Sequence, residues 1–114
     1  MKTAALMKNG VRLIETVELA TDLKSRIIGL LGRKYLGKQH AMYLKPCNSI
    51  HTFFMKFSID LVFLSRDLSV RKIVKGVGPG RIVLGGEGAW SVIEMESGWF
   101  IEDSLRVGDK VDIR

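Results

Sequence analysis

Pro46-Cys47-Asn48-Ser49-Ile50-His51-Thr52-Phe53-Phe54-Met55-Lys56-Phe57-Ser58-Ile59-Asp60-Leu61-Val62-Phe63-Leu64 is the stretch whose reading decides the fold. It holds the only cysteine, one of two histidines and four of five phenylalanines. Ile59 to Leu64 is apolar at every position but Asp60, the pattern of an interior strand covered on both faces. Pro46 and the polar run Asn48-Ser49 mark a loop that feeds a strand, not a helix.

Outward from this stretch the chain reads as short strands joined by glycine-rich turns. Asn9-Gly10 between two extended segments is the signature of a type I′ hairpin. In the second of these segments Val11, Leu13, Val17 and Leu19 share one face, and Glu15 interrupts it, which points to a bulge. Thr21-Asp22 then suits a helix start, and Leu23, Ile27, Leu30 and Leu31 recur at helical spacing. Ala41–Lys45, Val70–Val74, Trp90–Met95 and the Val111–Ile113 segment read as further strands. The glycines between Gly76 and Gly88 read as a break in regular structure. The expected class is therefore α+β and β-rich. It comprises a strongly curved antiparallel or mixed sheet, or a partly open barrel, one packed α-helix over about 22–31 and a short helical turn near 98–105. Residues 1–114 form a single domain.

The net charge of +6 is uneven. Residues 24–81 carry twelve lysines and arginines against Asp60 and Asp67 alone, while residues 82–114 are acidic. The basic middle, with Arg33, Lys34, Lys38, Arg71, Lys72 and Lys75, admits an anionic partner. No dense cationic run accompanies it, so nucleic acid is disfavoured. A single cysteine forms no internal disulfide and suits a reducing compartment. The first residues are charged too early for a signal peptide, and no apolar run approaches a membrane span. The expectation is a cytoplasmic protein without a membrane partner.

Several residues carry latent chemistry. Cys47 and His51 lie four apart. On a strand that spacing is about 13 Å, so a thiolate–imidazole pair or a shared metal needs a tight turn at Asn48-Ser49. A buried thiol and a hydrogen-bonded histidine is the plainer reading. Asp60 inside an apolar strand must be paired or hydrogen-bonded, and Arg26 is a suitable partner. Glu94 in Val92-Ile93-Glu94-Met95-Glu96 poses the same problem, and a bulge would reverse its face. If Asp60 and Glu94 met near His51, the site would have acid–base capability. Gly76, Gly78, Gly80 and Arg81 lack the following helix that a phosphate loop needs.

These motifs together resemble a bacterial and archaeal family, domain of unknown function 192, also known as an uncharacterised protein family. The resemblance rests on Arg26-Ile27-Ile28-Gly29-Leu30-Leu31, on His51, Thr52, Met55, Ile59, Asp60 and Phe63, and on Pro79 with Arg81. Val92-Ile93-Glu94-Met95-Glu96-Ser97-Gly98 and Val107-Gly108-Asp109 complete it, so it spans nearly the whole chain. Ser58 stands where many members carry proline. The resemblance implies a compact, mostly β domain with one packed helix, and no established activity.

The functional expectation is a non-enzymatic binding module with a small polar pocket formed by His51, Thr52, Asp60, Arg26 and Glu94, taking a small-molecule or anionic ligand. It requires these side chains to converge on one reachable cavity. The alternatives are a hydrolase or thiol-type enzyme using Cys47 and His51 with Asp60, and a binder of an anionic partner through the basic middle. No metal and no cofactor is expected.

Overall fold

The computed structural model describes residues 2–100 and 104–114. Its strands are β1 (Thr3–Lys8), β2 (Val11–Ala20), β3 (His40–Leu44), β4 (Ser49–His51), β5 (Ile59–Leu64), β6 (Val70–Val77), β7 (Ile82–Leu84), β8 (Ser91–Glu96) and β9 (Asp112–Ile113). Seven of them form one mixed sheet in the order β6-β5-β8-β3-β2-β1-β9, and β4 and β7 form a separate two-stranded sheet.

The hairpin at Asn9-Gly10 forms as its sequence dictates, with both residues at positive φ. Ala4 pairs with Val17 and Leu6 with Ile14, so the second strand carries an extra residue at Glu15-Thr16. The Glu15 N–H left over is taken by the Gln39 side chain at 3.0 Å. This shift turns Ile14 as well as Val17 into the core and leaves Val11 exposed, which corrects the simple alternation read from the sequence.

β2 and β3 are parallel, so a crossover must join them, and residues 21–39 supply it. The expected α+β class with a packed helix is overturned here. Instead of a helix over 22–31, the crossover has only one six-residue helical stretch, α1 (Leu23–Ile28), capped by the Asp22 carboxylate on the Ser25 N–H at 2.7 Å. Gly29 follows at φ +49 and ends it, so Leu30 and Leu31 reach the core from a turn. Four apolar positions at helical spacing fit a single turn as well as a longer helix, and a stretch this short does not sustain itself. The side chains of Leu23 and Ile27 lie outside the described residues. The helical turn near 98–105 is not found either: 98–100 and 104–105 are not helical, and 101–103 lie outside the described residues. The fold is a mostly β one.

No closed barrel forms. The edge strands β6 and β9 approach only at one corner, through the Ser69–Lys110 bridge and the Val70 N–H on the Asp109 carbonyl at 2.7 Å. The strands β3, β5 and β8 are buried on both faces. One face packs Leu6, Ile14, Val17, Tyr43, Val62, Ile93 and Met95. The other packs Met42, Leu44, Leu61, Phe63 and Val92 under Leu30, Ile50 and Met55, which come from the crossover and the β4 region. That second layer encloses the site.

Candidate functional site

A cavity of about 360 Å³ lies between the sheet, the crossover and β4. Leu30, Leu31, Leu44, Ile50 and Met55 give it an apolar wall, and Arg26, Cys47, Ser49, His51 and Glu94 give it polar groups. β8 supplies Glu94, whose Cα partners are Leu61 on β5 and Met42 on β3. That register, unbroken along β8, settles the face that the sequence leaves open.

Glu94 is 5% exposed and no hydrogen bond reaches its carboxyl from the described residues. Burial alone pushes its pKa up to about 7. It is thus a carboxyl poised between neutral acid and carboxylate near neutrality. Arg26 braces the lip of the cavity by donating from Nη1 to the Pro46 carbonyl at 3.0 Å and from Nε to the Asp22 carbonyl at 3.3 Å. Cys47 lies within electrostatic reach of both Glu94 and Arg26. Its Sγ donates to the Ser49 carbonyl at 3.2 Å. Burial foremost, with the Glu94 charge behind it, pushes this thiol up, against the backbone hydrogen bond and Arg26. That is the opposite of the lowering a nucleophilic thiol needs. His51 is exposed on β4, and its ring stacks on Phe53 at 5.5 Å.

The structure divides the residues expected to converge. Arg26, His51 and Glu94 line one cavity, and Cys47 joins them. Asp60 does not: it stands opposite Met95, one rung from the Leu61–Glu94 pair, and so faces the other side of the sheet. Nor does it pair with Arg26. Its Oδ1 accepts from the Gly76 N–H at 2.8 Å and the Ser97 hydroxyl at 2.9 Å. Thr52 is fully buried as a clasp on the glycine loop, donating to the Gly78 carbonyl at 2.7 Å and accepting from the Arg81 N–H at 2.8 Å. Arg26, His51 and Glu94 thus line the cavity, and Thr52 and Asp60 stand outside its lining.

The basic middle is also divided. Arg33 forks onto both Glu18 oxygens at 2.7 and 2.9 Å, beside β2, and Lys72 donates to the Leu84 carbonyl from β6 at the far edge of the sheet. Among the described residues no three of His, Cys, Asp and Glu cluster as metal ligands. The apolar wall residues Leu30, Ile50 and Met55 escape the sequence reading, because their meeting depends on the crossover and on β4–β7 pairing. Only the apolar residue after Gly29 hints at it.

Comparison with known proteins gives a consistent picture of fold. Residues 4–113 match a family model described as "Uncharacterized ACR", domain of unknown function 192. A crystal structure of a protein of unknown function from Novosphingobium aromaticivorans is similar, with a TM-score of 0.81 at 21% identity over 96% of this chain and 83% of that one. A Sinorhizobium meliloti protein named "putative transcription regulator" has a TM-score of 0.80 at 23% identity, over 97% of this chain and 92% of that one. No curated protein matches the chain. At these identities the two structures establish the fold alone.

Proposed function

Because this chain belongs to the uncharacterised family of domain of unknown function 192, a fold without an assigned reaction, we propose its function from the cavity: it is a binding domain for a small amphipathic molecule. One observation carries the reading. Glu94 lies deep beside the cavity, with no hydrogen-bond partner among the described residues. A carboxyl in so dry a place is costly to ionise, and a ligand that donates to it or accepts its proton removes that cost. The wall of Leu30, Leu44, Ile50 and Met55 takes the apolar body of such a molecule, and Arg26 and His51 stand where a polar end would leave. The raised thiol of Cys47 supports binding over thiol catalysis.

The test is a thermal-shift panel of short-chain amines, amino alcohols, amides and carboxylic acids. At least one class raises the melting temperature of the wild type, and Met55→Trp, which fills the cavity, abolishes the shift. A panel without any shift, or a shift that survives Met55→Trp, overturns the reading.

A further inference from the structure

The outer face of the β4–β7 sheet is apolar and open. Ser49 pairs with Leu84 and His51 with Ile82, so alternation places Ile82 and Leu84 beside His51, away from the inward Ile50 and Val83. Both are about two-thirds exposed, at 66% and 64%. The stack of His51 on Phe53 carries the face into the next loop, where Phe54 is 88% exposed. Phe54 adopts φ +67, a left-handed backbone that a bulky L residue avoids. That backbone closes the turn in which the Met55 N–H bonds to the Thr52 carbonyl at 3.2 Å, and it leaves the ring in water.

The charged side chains within its own strands and the Phe53–Phe54 loop have one sign. Arg81 is exposed at the end of the face where the Thr52 N–H bonds to its carbonyl at 2.8 Å, and Lys56 is exposed in the loop that carries Phe53 and Phe54. No aspartate or glutamate occurs in residues 45–58 or 80–86. Protruding rings with cations in the same segments match the apolar interior and the anionic surface of a lipid bilayer.

We propose that this face docks on anionic membrane surfaces. Phe54 and Phe53 enter the interface, Ile82 and Leu84 lie along it, and Lys56 and Arg81 meet the headgroups. The described residues contain no helix long and apolar enough to cross a membrane, and docking of this kind needs none. The proposal departs from the expectation of a protein without a membrane partner, which rested on the missing span. It shares His51 with the Glu94 cavity, but its test does not read what that cavity binds.

The experiment is co-sedimentation with vesicles of phosphatidylcholine, alone and mixed with phosphatidylglycerol, at two salt concentrations. The wild type pellets with the mixed vesicles at low salt and far less with phosphatidylcholine. Phe54→Gly, free to adopt the same backbone, melts no lower than the wild type and loses about tenfold in partitioning. Phe54→Asn, which also tolerates that backbone, behaves alike. Lys56→Glu with Arg81→Glu abolishes the preference for phosphatidylglycerol. No pelleting with mixed vesicles, or pelleting unchanged by both Phe54 variants, overturns the proposal. So does a dimer without vesicle binding that Phe54→Gly dissociates, which would make a second copy the occupant.

Discussion

Asp60 and Glu94 stand one rung apart on neighbouring strands and face opposite sides of the sheet. Two acids of similar burial therefore have different fates: Asp60 is hydrogen-bonded within the fold, and Glu94 is left to the cavity. Their substitutions should separate accordingly.

Both hydrogen bonds to Asp60 end on Oδ1. Asp60→Asn keeps an oxygen there and costs about 1 kcal/mol, whereas Asp60→Ala strands the Gly76 N–H and the Ser97 hydroxyl and costs about 3 kcal/mol. Exposed His51 loses only its stack on Phe53 in His51→Ala, about 0.5–1 kcal/mol. No broken ion pair adds to the cost of Asp60→Asn, because no cation faces this carboxylate in the described residues. Urea melts of the three variants check the order; equal costs for the alanine and asparagine variants would refute the hydrogen-bonded role.

Glu94 makes stability pH-dependent with a definite sign. Its folded pKa of about 7 exceeds the ordinary 4.5, so the folded chain binds more protons across that window. Stability from this group is complete below about 4.5 and falls as pH rises through about 7. The loss is about 3 kcal/mol. Glu94→Gln cannot titrate. Relative to the wild type it should gain most of that amount between pH 5 and pH 8, and urea melts at the two values measure it.

The Glu18–Arg33 fork has the opposite sign. The hydrogen bond from Arg33 holds the Glu18 carboxyl below its usual range, so its contribution is present near neutrality and lost in acid as pH falls through the folded pKa. The pair is only partly buried, and its coupling should be about 1 kcal/mol. A double-mutant cycle with Glu18→Gln and Arg33→Gln at pH 7 and pH 3 should show the full coupling at the first value and a smaller one at the second.

Cys47 should behave as a sheltered thiol. Alkylation by iodoacetamide at pH 7.5 should be slower than that of a free cysteine, and should accelerate only above the ordinary thiol range. A plateau of fast alkylation below pH 7 would restore the nucleophile reading.

Gly85 sits where a Cβ would come within 2.6 Å of Phe63 Cδ1 and Ala89 Cβ, and within 2.9 Å of the Asn48 carbonyl. Gly85→Ala should cost about 1–3 kcal/mol, read from the urea midpoint.

Much of the strand pattern was legible. The Asn9-Gly10 turn and the doubly buried Ile59–Leu64 strand follow from local chemistry. The short strands β4 and β7 were not, because three residues each carry no period and exist only through their pairing. The helix is shorter than the apolar spacing over 22–31 suggests because Gly29 ends it. The site was half legible. Arg26, His51 and Glu94 were named, but a single rung decides whether an acid on β5 or β8 faces the cavity, and no pattern in one strand reveals its neighbour's register.

The position of β8 has a consequence for how the chain assembles. β8 lies between β5 and β3, both of which precede it in sequence. Until residues 91–96 arrive, the β1–β2 hairpin with β3 and the β5–β6 hairpin present two unpaired edges with nothing to join them. Contacts between positions as distant as Met42 and Glu94 must close long loops before they stabilise anything, so folding should be slow for a domain of this size. β8 is the keystone of the assembly, and the half-built sheet is its most aggregation-prone form.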